Sequence, residues 1–290
     1  MMVLERYSKI MLTIIVLLIM LFIVFVYRGK TTAVQSTTIL KDTAANGNVL
    51  EVLDATILLK YKDQIDERKH ELRAITNSSI FLHFYPVLVF CVNIARFGRV
   101  GDGGKWVCNA HRIPDKCAFY SLGINNEPSF DVDLQRFTNN RCKYIAVDRG
   151  DATPETLQNI ENANGTYLKA TVGNTPLPAQ SDGTETVSLR SLMSRYGDTN
   201  IEVLKVDIEG AEREILAEMT EVPICQILIE LHFGTPLETL EFIRRLSQNN
   251  FYLFRQEVNP AGMHLSEYSF IHRNCLEKYG VTTIYGHYLN

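Results

Sequence analysis

Residues 203–212 read Val-Leu-Lys-Val-Asp-Ile-Glu-Gly-Ala-Glu, and this stretch decides the fold class. The apolar residues between positions 203 and 208 form the near-continuous run that is typical of a strand covered on both faces. Gly210 permits a turn, and residues 211–219 have the composition of a helix. A buried strand that leads through an acidic turn into a helix indicates an α/β protein with a parallel sheet.

Three acidic residues follow this strand: Asp207, Glu209 and Glu212. Ligands of open α/β sheets bind outside the carboxyl ends of the strands, so these acids lie where chemistry is expected. The alternative is a structural role, because Asp and Glu also favour the first turn of a helix. The residues at the other strand ends distinguish between these two interpretations.

Short apolar runs alternate with helical patterns along the rest of the chain. The predicted strands are Ala118–Ile124, Tyr144–Asp148, Tyr167–Val172, Val203–Ile208, Cys225–Leu231, Phe251–Gln256 and Tyr268–Ile271. The predicted helices are Ser129–Thr138, Thr153–Ala163, Leu189–Tyr196, Glu212–Met219 and Leu237–Gln248. This order predicts a Rossmann-like α/β fold with a doubly wound, mostly parallel sheet. The last two strands have no helix between them and predict an antiparallel hairpin at one edge.

The N-terminal region contains an apolar run from Ile10 to Tyr27, in which Thr13 is the clearly polar member. A membrane-spanning helix needs about 17–25 apolar residues, whereas the apolar region of a cleaved signal peptide has about 7–15. The run is longer than that, and residues 27–30 offer no small-residue cleavage site, which favours an uncleaved anchor. We therefore predict a short tail (1–9), a transmembrane anchor (10–27), a stem (28–79) and one globular domain (80–290).

The orientation of the anchor is ambiguous from charge, because two basic residues lie on each side of it. The sequons at Asn77 and Asn164 could accept glycans in a lumen. Six cysteines suit an oxidising compartment, and without paired C-x-x-C spacing they do not indicate zinc. The sequence thus predicts a single-pass membrane glycoprotein of the Golgi or endoplasmic reticulum with a luminal domain.

The charge of the domain argues against nucleic acid as a partner. The chain has 29 basic and 33 acidic residues, and residues 1–30 hold four of the basic and one of the acidic residues. The remainder therefore has 25 basic and 32 acidic residues and a net charge of −7. A surface of this sign has no electrostatic reason to bind phosphate backbones.

The candidate cofactor-binding residues lie at three strand ends: Ser121, Gly123 and Asn125 at the first, Asp148 at the second, and Asp207 at the third. Gly123 would let a ligand approach the backbone, and an acid such as Asp148 can bind the hydroxyls of a ribose. The chain lacks both the G-x-G-x-x-G pattern for a pyrophosphate and a P-loop. A cofactor with a ribose and a cationic sulfonium fits these acidic ends better, and that cofactor is S-adenosylmethionine.

Four segments together resemble the FkbM-type methyltransferase domain, most closely its animal membrane-anchored, methyltransferase-like branch. They are Asp102–Cys108, Tyr120–Ile124, Leu204–Glu212 and Gln226–His232, and the resemblance covers roughly residues 85–275. It implies a class I methyltransferase fold over the 80–290 domain, with S-adenosylmethionine at Gly123, Asp148 and Asp207, and often O-methylation. Many class I enzymes have a second glycine where this chain has Asn125, which implies a narrower cofactor turn or lost activity.

The candidate catalytic residues are Asp207, Glu209 and His232. Methyl transfer depends mainly on positioning, and a hydroxyl acceptor benefits from a general base, a role that His232 could fill. The alternative is a histidine bonded to Glu230 or to the backbone. Glu209 and Glu230 could instead hold a divalent ion, although the sequence does not support a metal site.

Two further functions compete with methyl transfer to a small-molecule or glycan hydroxyl. Asp131-Val132-Asp133 is a D-x-D triplet of the kind that glycosyltransferases use, but it falls inside a predicted helix. A non-catalytic Rossmann-like scaffold is the other alternative, and Asn125 favours it.

One disulfide is expected close to the first strand. Cys108 and Cys117 flank a short segment that contains Pro114, so we predict that they pair and brace the loop 102–105, which forms either a lid or a turn. The alternative is that both are buried thiols.

Overall fold

The computed structural model describes residues 69–70, 72–76, 87–259, 262 and 265–283. The predicted tail, the anchor and most of the predicted stem lie outside the described residues. Among the residues that are described, no helix is long and apolar enough to cross a membrane. Leu72 and Ile75, which fall in the predicted stem, are buried and belong to the hydrophobic core.

Between residues 87 and 283 the described chain forms twelve strands and six α-helices, and residues 69–70 and 72–73 are also helical. The strands are β1 (Val89–Phe90), β2 (Ile94–Phe97), β3 (Lys105–Cys108), β4 (Ala118–Leu122), β5 (Lys143–Asp148), β6 (Gly165–Val172), β7 (Glu185–Val187), β8 (Ile201–Val206), β9 (Ile224–Leu231), β10 (Phe251–Val258), β11 (Ser266–His272) and β12 (Thr282–Thr283). The helices are α1 (Ser129–Phe137), α2 (Pro154–Asn162), α3 (Leu189–Tyr196), α4 (Glu212–Glu221), α5 (Pro236–Gln248) and α6 (Leu276–Tyr279), with 3₁₀ turns at Ala110–Arg112 and Arg273–Cys275.

One eight-stranded sheet organises the domain, in the order β10-β11-β9-β8-β4-β5-β6-β7. Strand β11 runs antiparallel to both neighbours, and the other neighbouring strands are parallel. The Rossmann-like α/β class and the antiparallel edge hairpin are therefore confirmed. The chain builds outward from β4 to β7 and then returns to place β8 on the other side of β4. The strand order thus reverses between β4 and β8, which is where such sheets bind ligands.

The sequence explains why the strands and helices begin and end where they do. Strands β8 and β9 are buried at every position, as their continuous apolar runs predict. Helices α3 and α5 begin with capping boxes, in which the side chains of Ser188 and Thr235 accept hydrogen bonds from the third helical amide. Helix α3 ends at Gly197, which adopts the left-handed conformation that favours glycine.

The small strands outside the large sheet were not predicted. Strands β1 and β12 form one antiparallel pair, and β2 and β3 form another. With two to four residues each, these strands are too short for an alternation of apolar and polar residues to be recognised. Strand β7 was missed for the same reason.

The predicted Cys108–Cys117 disulfide is wrong. Cys108 pairs with Cys91, Cys117 with Cys142, and Cys225 with Cys275. Cys117 and Cys142 immediately precede the neighbouring parallel strands β4 and β5, so the sheet brings them together. The hairpin of β2 and β3 carries Cys108 back beside the segment that contains Cys91. The pairing follows strand neighbours, whereas the prediction considered only distance along the chain.

Candidate functional site

A cavity of about 720 Å³ opens at the point where the strand order reverses. Its walls are the carboxyl ends of five neighbouring parallel strands. Gly123, Asp148 and Val172 stand at the ends of β4, β5 and β6 and form what we call the β4–β6 wall. Asp207 and His232 follow β8 and β9 and, with Glu209, form the β8–β9 wall. A cavity of this size is large enough to enclose a cofactor.

Gly123 is the point at which the two walls meet. Its φ is +80°, and its amide donates a hydrogen bond to the carbonyl of Val147 at 2.8 Å. A Cβ atom at this position would lie 1.7 Å from the carbonyl oxygen of Asp207. Glycine is therefore required by the close approach of the β4 and β8 ends, in addition to the access to the backbone that the sequence predicted.

Asp148 holds the loop that follows β4. Its Oδ2 accepts hydrogen bonds from the amides of Ile124 at 2.7 Å and Asn125 at 2.6 Å, and its Oδ1 accepts one from Gly150 at 2.7 Å. A carboxylate has about four lone-pair positions, so acceptor capacity toward the cavity remains. The predicted contact with a ribose stays a prediction, and the loop-holding role is a finding that the sequence did not indicate.

Asn125 lies in the left-handed region with a φ of +46°, and Asn126 follows with +57°. Asparagine tolerates this region better than most residues, so the turn takes a conformation that a glycine would otherwise supply. Ser121, the remaining predicted cofactor residue, lies inside β4 with a fully buried side chain and is not part of the cavity wall.

Asp207 is the centre of the β8–β9 wall. Its Oδ2 lies 3.1 Å from Nζ of Lys105, which is only 1 % exposed. Burial opposes ionisation, but Lys105 and Lys205 hold the pKa of Asp207 below its usual range. Lys205 also donates to the carbonyl of Gly123 and so ties the two walls together.

Lys105 is surrounded by acids that come from distant parts of the chain. Besides Asp207 it contacts Glu267 and lies 3.8 Å from Glu230. Although burial opposes protonation, these three carboxylates raise the pKa of Lys105 above its usual value. Burial raises the pKa of Glu267. The sequence drew attention to Lys105 only as part of the loop 102–105, and it gave no signal for Glu267.

The loop 102–105 supplies part of the cavity wall. Asp102 and Gly103 line the cavity, and Oδ1 of Asp102 accepts a hydrogen bond from Nδ2 of Asn259 at 3.1 Å. The same amide donates to Oε1 of Glu230 at 2.8 Å. Because Nζ of Lys105 contacts Asp207 and Glu267, the loop is fixed at its far end.

His232 bonds to Glu212, and the prediction had named Glu230 or the backbone as its structural partner. Its Nδ1 lies 2.9 Å from Oε1 of Glu212, while Nε2 lies 3.8 Å from Oδ1 of Asp207 and 3.6 Å from Oε2 of Glu209. Burial opposes protonation, but Glu212, Glu230 and Asp207 raise the pKa of His232 to about 9. These carboxylates favour the imidazolium, so Nε2 must release a proton before it can act as a base or bind a cation.

The sequence matches a family model described as a methyltransferase domain over residues 42–272. The chain belongs to this methyltransferase domain family. It is 29 % identical over 137 residues to the probable methyltransferase-like protein 24 of Homo sapiens and 27 % identical over 137 residues to that of Rattus norvegicus. Each match covers 44 % of this chain and 36 % of the relative, so the chain spans about a third of the length of these curated relatives.

Solved structures also align with the methyltransferase domain at low identity. Fibrillarin of Aeropyrum pernix, solved with natively bound S-adenosyl-L-methionine, aligns with 10 % identity and a TM-score of 0.37, covering 63 % of this chain and 84 % of fibrillarin. The precorrin-6y C5,15-methyltransferase of Geobacter metallireducens aligns with 10 % identity and a TM-score of 0.36, covering 57 % and 85 % of the two chains.

The D-x-D triplet of the methyltransferase domain does not face a common ligand. Both acids lie in α1, as predicted. Asp131 is fully buried, and burial raises its pKa to about 6. Oδ2 of Asp133 instead accepts a hydrogen bond from the amide of Gly98 at 3.1 Å. Neither residue lines the cavity.

Proposed function

We propose that this methyltransferase domain uses S-adenosylmethionine to methylate a hydroxyl of a small molecule or glycan. The observation that supports the proposal is the cavity at the reversal of the strand order, with Gly123, Asp148 and Asp207 at three adjoining strand ends. S-adenosylmethionine supplies an activated methyl group on a sulfonium, and the protein must bind and orient it beside the acceptor.

The β4–β6 wall suits the cofactor. The free acceptor capacity of Asp148 can take a hydroxyl of the ribose, and the apolar side chains of Val147 and Val172 line the same wall. The backbone at Gly123 and Asn125 presents a turn without a phosphate-binding glycine series, which suits a cofactor that carries no phosphate.

The β8–β9 wall suits an acceptor that donates hydrogen bonds. Asp207 and Glu209 belong to it, Glu230 also lines the cavity, and carboxylates accept hydrogen bonds from hydroxyl groups. In the transfer the acceptor oxygen forms a bond to the methyl carbon, the carbon–sulfur bond breaks, and the hydroxyl proton passes to a base. A carboxylate of this wall, or Nε2 of His232 in its neutral form, can take that proton.

Calorimetry with S-adenosylmethionine tests the proposal directly. We expect the full chain to bind it, and Asp148→Ala to weaken binding by about 1–3 kcal/mol, which is roughly 5- to 150-fold. Asp151→Ala is the matched control, because Asp151 is exposed and does not line the cavity. No binding by the unmodified chain would refute the function, and unchanged binding by a folded Asp148→Ala would refute the ribose contact. Transfer of a labelled methyl group to a panel of hydroxyl-bearing glycans and small molecules then identifies the acceptor.

We also propose that the domain is a luminal, glycosylated part of a membrane protein related to the FkbM-type branch. Three disulfides support an oxidising compartment, because such bonds persist outside the cytosol. Asn164 and Thr166 of the second sequon are exposed, so a glycan can be attached without unfolding the chain. Asn77 and the apolar run 10–27 lie outside the described residues.

Expression in secretory cells distinguishes the orientations. A luminal domain should shift in mobility on treatment with a glycosidase, and the shift at Asn164 should disappear in Asn164→Gln. Asn162→Gln is the matched control, since Asn162 is exposed and lies outside any sequon. Digestion of the domain by protease added to intact vesicles would reverse the proposed topology.

A further inference from the structure

Three side chains with metal-binding atoms converge at the β8–β9 wall. Nε2 of His232 lies 3.8 Å from Oδ1 of Asp207 and 3.6 Å from Oε2 of Glu209, and the ligand atoms all lie within 4.8 Å of one another. We propose that Asp207, Glu209 and His232 form a binding site for one divalent cation that accepts mixed nitrogen and oxygen ligands, such as Mn²⁺.

The distances suit a metal ion with little rearrangement. Metal–ligand bonds of about 2.1 Å place neighbouring ligand atoms about 3.0 Å apart in an octahedron and about 3.4 Å apart in a tetrahedron. The two distances from His232, 3.6 and 3.8 Å, exceed the tetrahedral value by about 0.2 and 0.4 Å and the octahedral value by about 0.6 and 0.8 Å. The side chain of Glu209 is 76 % exposed and can close this difference by rotating about its own bonds. Carboxylate ligands suit Mn²⁺ and imidazole suits Fe²⁺, Ni²⁺ and Zn²⁺, so the mixed set fits a divalent ion of this series, for which Mn²⁺ serves as the probe.

Glu212 gives a second, independent indication. It is completely buried, its Oε1 lies 2.9 Å from Nδ1 of His232, and its Oε2 has no hydrogen-bond partner among the described residues. Histidines that bind metals almost always donate their other ring nitrogen to such a carboxylate. This contact directs Nε2 toward Asp207 and Glu209. A cation bound at Nε2 would replace the proton of the imidazolium, so the buried carboxylate of Glu212 would keep a positive partner.

A neighbouring acidic cluster shows why the cation belongs at His232. Asp207, Glu230 and Glu267 also lie close enough together to hold a metal ion. Nζ of Lys105 contacts all three carboxylates and so already supplies the positive charge of that cluster. Asp207 belongs to both groups: its Oδ2 faces Lys105, and its Oδ1 faces His232. The two oxygens of one carboxylate therefore serve two different cations.

The role of the cation rests on the proposed function, although its binding does not. The site opens into the cavity, so water or an acceptor hydroxyl can complete the coordination shell. A hydroxyl bound to a divalent cation loses its proton more readily, and the resulting alkoxide attacks the methyl carbon while the carbon–sulfur bond breaks. The proton passes to water or to a carboxylate of the wall. This arrangement does not require His232 to act as a base.

Titration of the purified full chain with MnCl₂, followed by electron paramagnetic resonance, tests the site. We expect one bound Mn²⁺ per chain and electron spin-echo modulation from a directly bound imidazole nitrogen, which needs no variant. His232→Gln and Glu209→Gln should each weaken binding at least tenfold. His111→Gln and Glu241→Gln are the matched controls, because both residues are exposed and lie outside the cavity wall.

Three results would overturn the proposal: no Mn²⁺ bound at millimolar concentration, no nitrogen coupling, or unchanged affinity in both site variants. Calorimetry with S-adenosylmethionine on the same samples separates this proposal from the proposed function. If the chain binds S-adenosylmethionine but not Mn²⁺, the proposed metal site is refuted and the proposed function is not. Binding of Mn²⁺ without S-adenosylmethionine supports the metal site and refutes the function.

Discussion

The two walls of the cavity are held in place by different forces. In the β4–β6 wall, the carboxylate of Asp148 accepts hydrogen bonds from three backbone amides that lie within 24 residues of it in the sequence. Asp207 of the β8–β9 wall instead contacts the buried ammonium of Lys105, which also contacts Glu267, and these carboxylates are 102 and 162 residues away from Lys105. The hydrogen bonds of Asp148 in the first wall therefore join residues that lie close together in the sequence. The second exists only when distant strands are already assembled, so its stability depends on the whole fold.

The comparison predicts that loss of Lys105 has the largest effect on stability. Lys105→Met keeps the length of the side chain but leaves Asp207, Glu230 and Glu267 without their buried cation. Removing one partner of a buried ion pair typically costs about 3–5 kcal/mol. We expect a decrease of this size in the free energy of unfolding, measured by urea denaturation.

Lys169→Met is the matched control for Lys105→Met. Lys169 pairs with Asp151 at 2.7 Å, but the side chain of Asp151 is 86 % exposed. Such surface pairs contribute at most about 1 kcal/mol. If the two substitutions destabilise the protein equally, charge does not hold the β8–β9 wall and the comparison fails.

Gly123→Ala is expected to have the next largest effect, because it disturbs the contact between the walls. The added Cβ would lie 1.7 Å from the carbonyl oxygen of Asp207 and would force the ends of β4 and β8 apart. Overpacking and the left-handed conformation together should cost about 2–4 kcal/mol and weaken binding of S-adenosylmethionine.

Gly183→Ala separates the two contributions to the Gly123→Ala effect. Gly183 has nearly the same φ, +79°, but nothing lies within 4 Å of its added Cβ. It should cost only the conformational part, about 1 kcal/mol. If both variants lower the free energy of unfolding equally, the close approach of the two walls at Gly123 does not add to the cost of the substitution.

The β4–β6 wall and the large sheet were predictable from sequence because their signals are local. The apolar runs of β4, β5 and β8 give the strands. Asp148 is the last residue of β5, and Gly123 and Asp207 directly follow β4 and β8. The structure ends β4 at Leu122 and β8 at Val206, two residues before the predicted ends. Gly123 has a left-handed φ directly after β4, and the turn at Glu209 and Gly210 follows β8.

The β8–β9 wall was predicted only in part. Asp207 and His232 follow strands and could be recognised, but their partners could not. Lys105 belongs to a four-residue strand outside the large sheet, and Glu267 belongs to the antiparallel strand β11. No periodicity relates such positions, because their neighbourhood follows from strand order. The one predicted disulfide, Cys108–Cys117, was wrong for the same reason.

Asn125 offers a smaller test, confined to the β4–β6 wall. Its φ of +46° means that Asn125→Gly should leave stability within about 0.5 kcal/mol and binding of S-adenosylmethionine unchanged. Asn125→Ala should cost about 1 kcal/mol, since alanine is strained in this region. Calorimetry and urea denaturation measure both quantities. If Asn125→Gly strengthens cofactor binding tenfold or more, the native turn obstructs the cofactor and the non-catalytic scaffold becomes the better interpretation.

The smallest expected effect is a pH dependence of stability at the far end of β11, the strand that contains Glu267. Burial lowers the pKa of His272, whose Nδ1 accepts a hydrogen bond from the amide of Asn274 at 3.2 Å. The folded protein therefore binds this proton less readily than the unfolded chain. Stability that is fully present above the unfolded pKa of about 6.5 is lost as the pH falls through the folded value.

His272→Asn keeps an acceptor for the amide of Asn274 but does not titrate. The melting temperature of this variant, relative to that of the native protein, should therefore rise as the pH is lowered from 7.5 to 5.5. The same substitution at exposed His111 controls for the loss of an imidazole. If the difference in melting temperature between the variant and the native protein stays constant over this range, His272 does not make the stability depend on pH. Any acid sensitivity of the β8–β9 wall would then arise from residues of the wall.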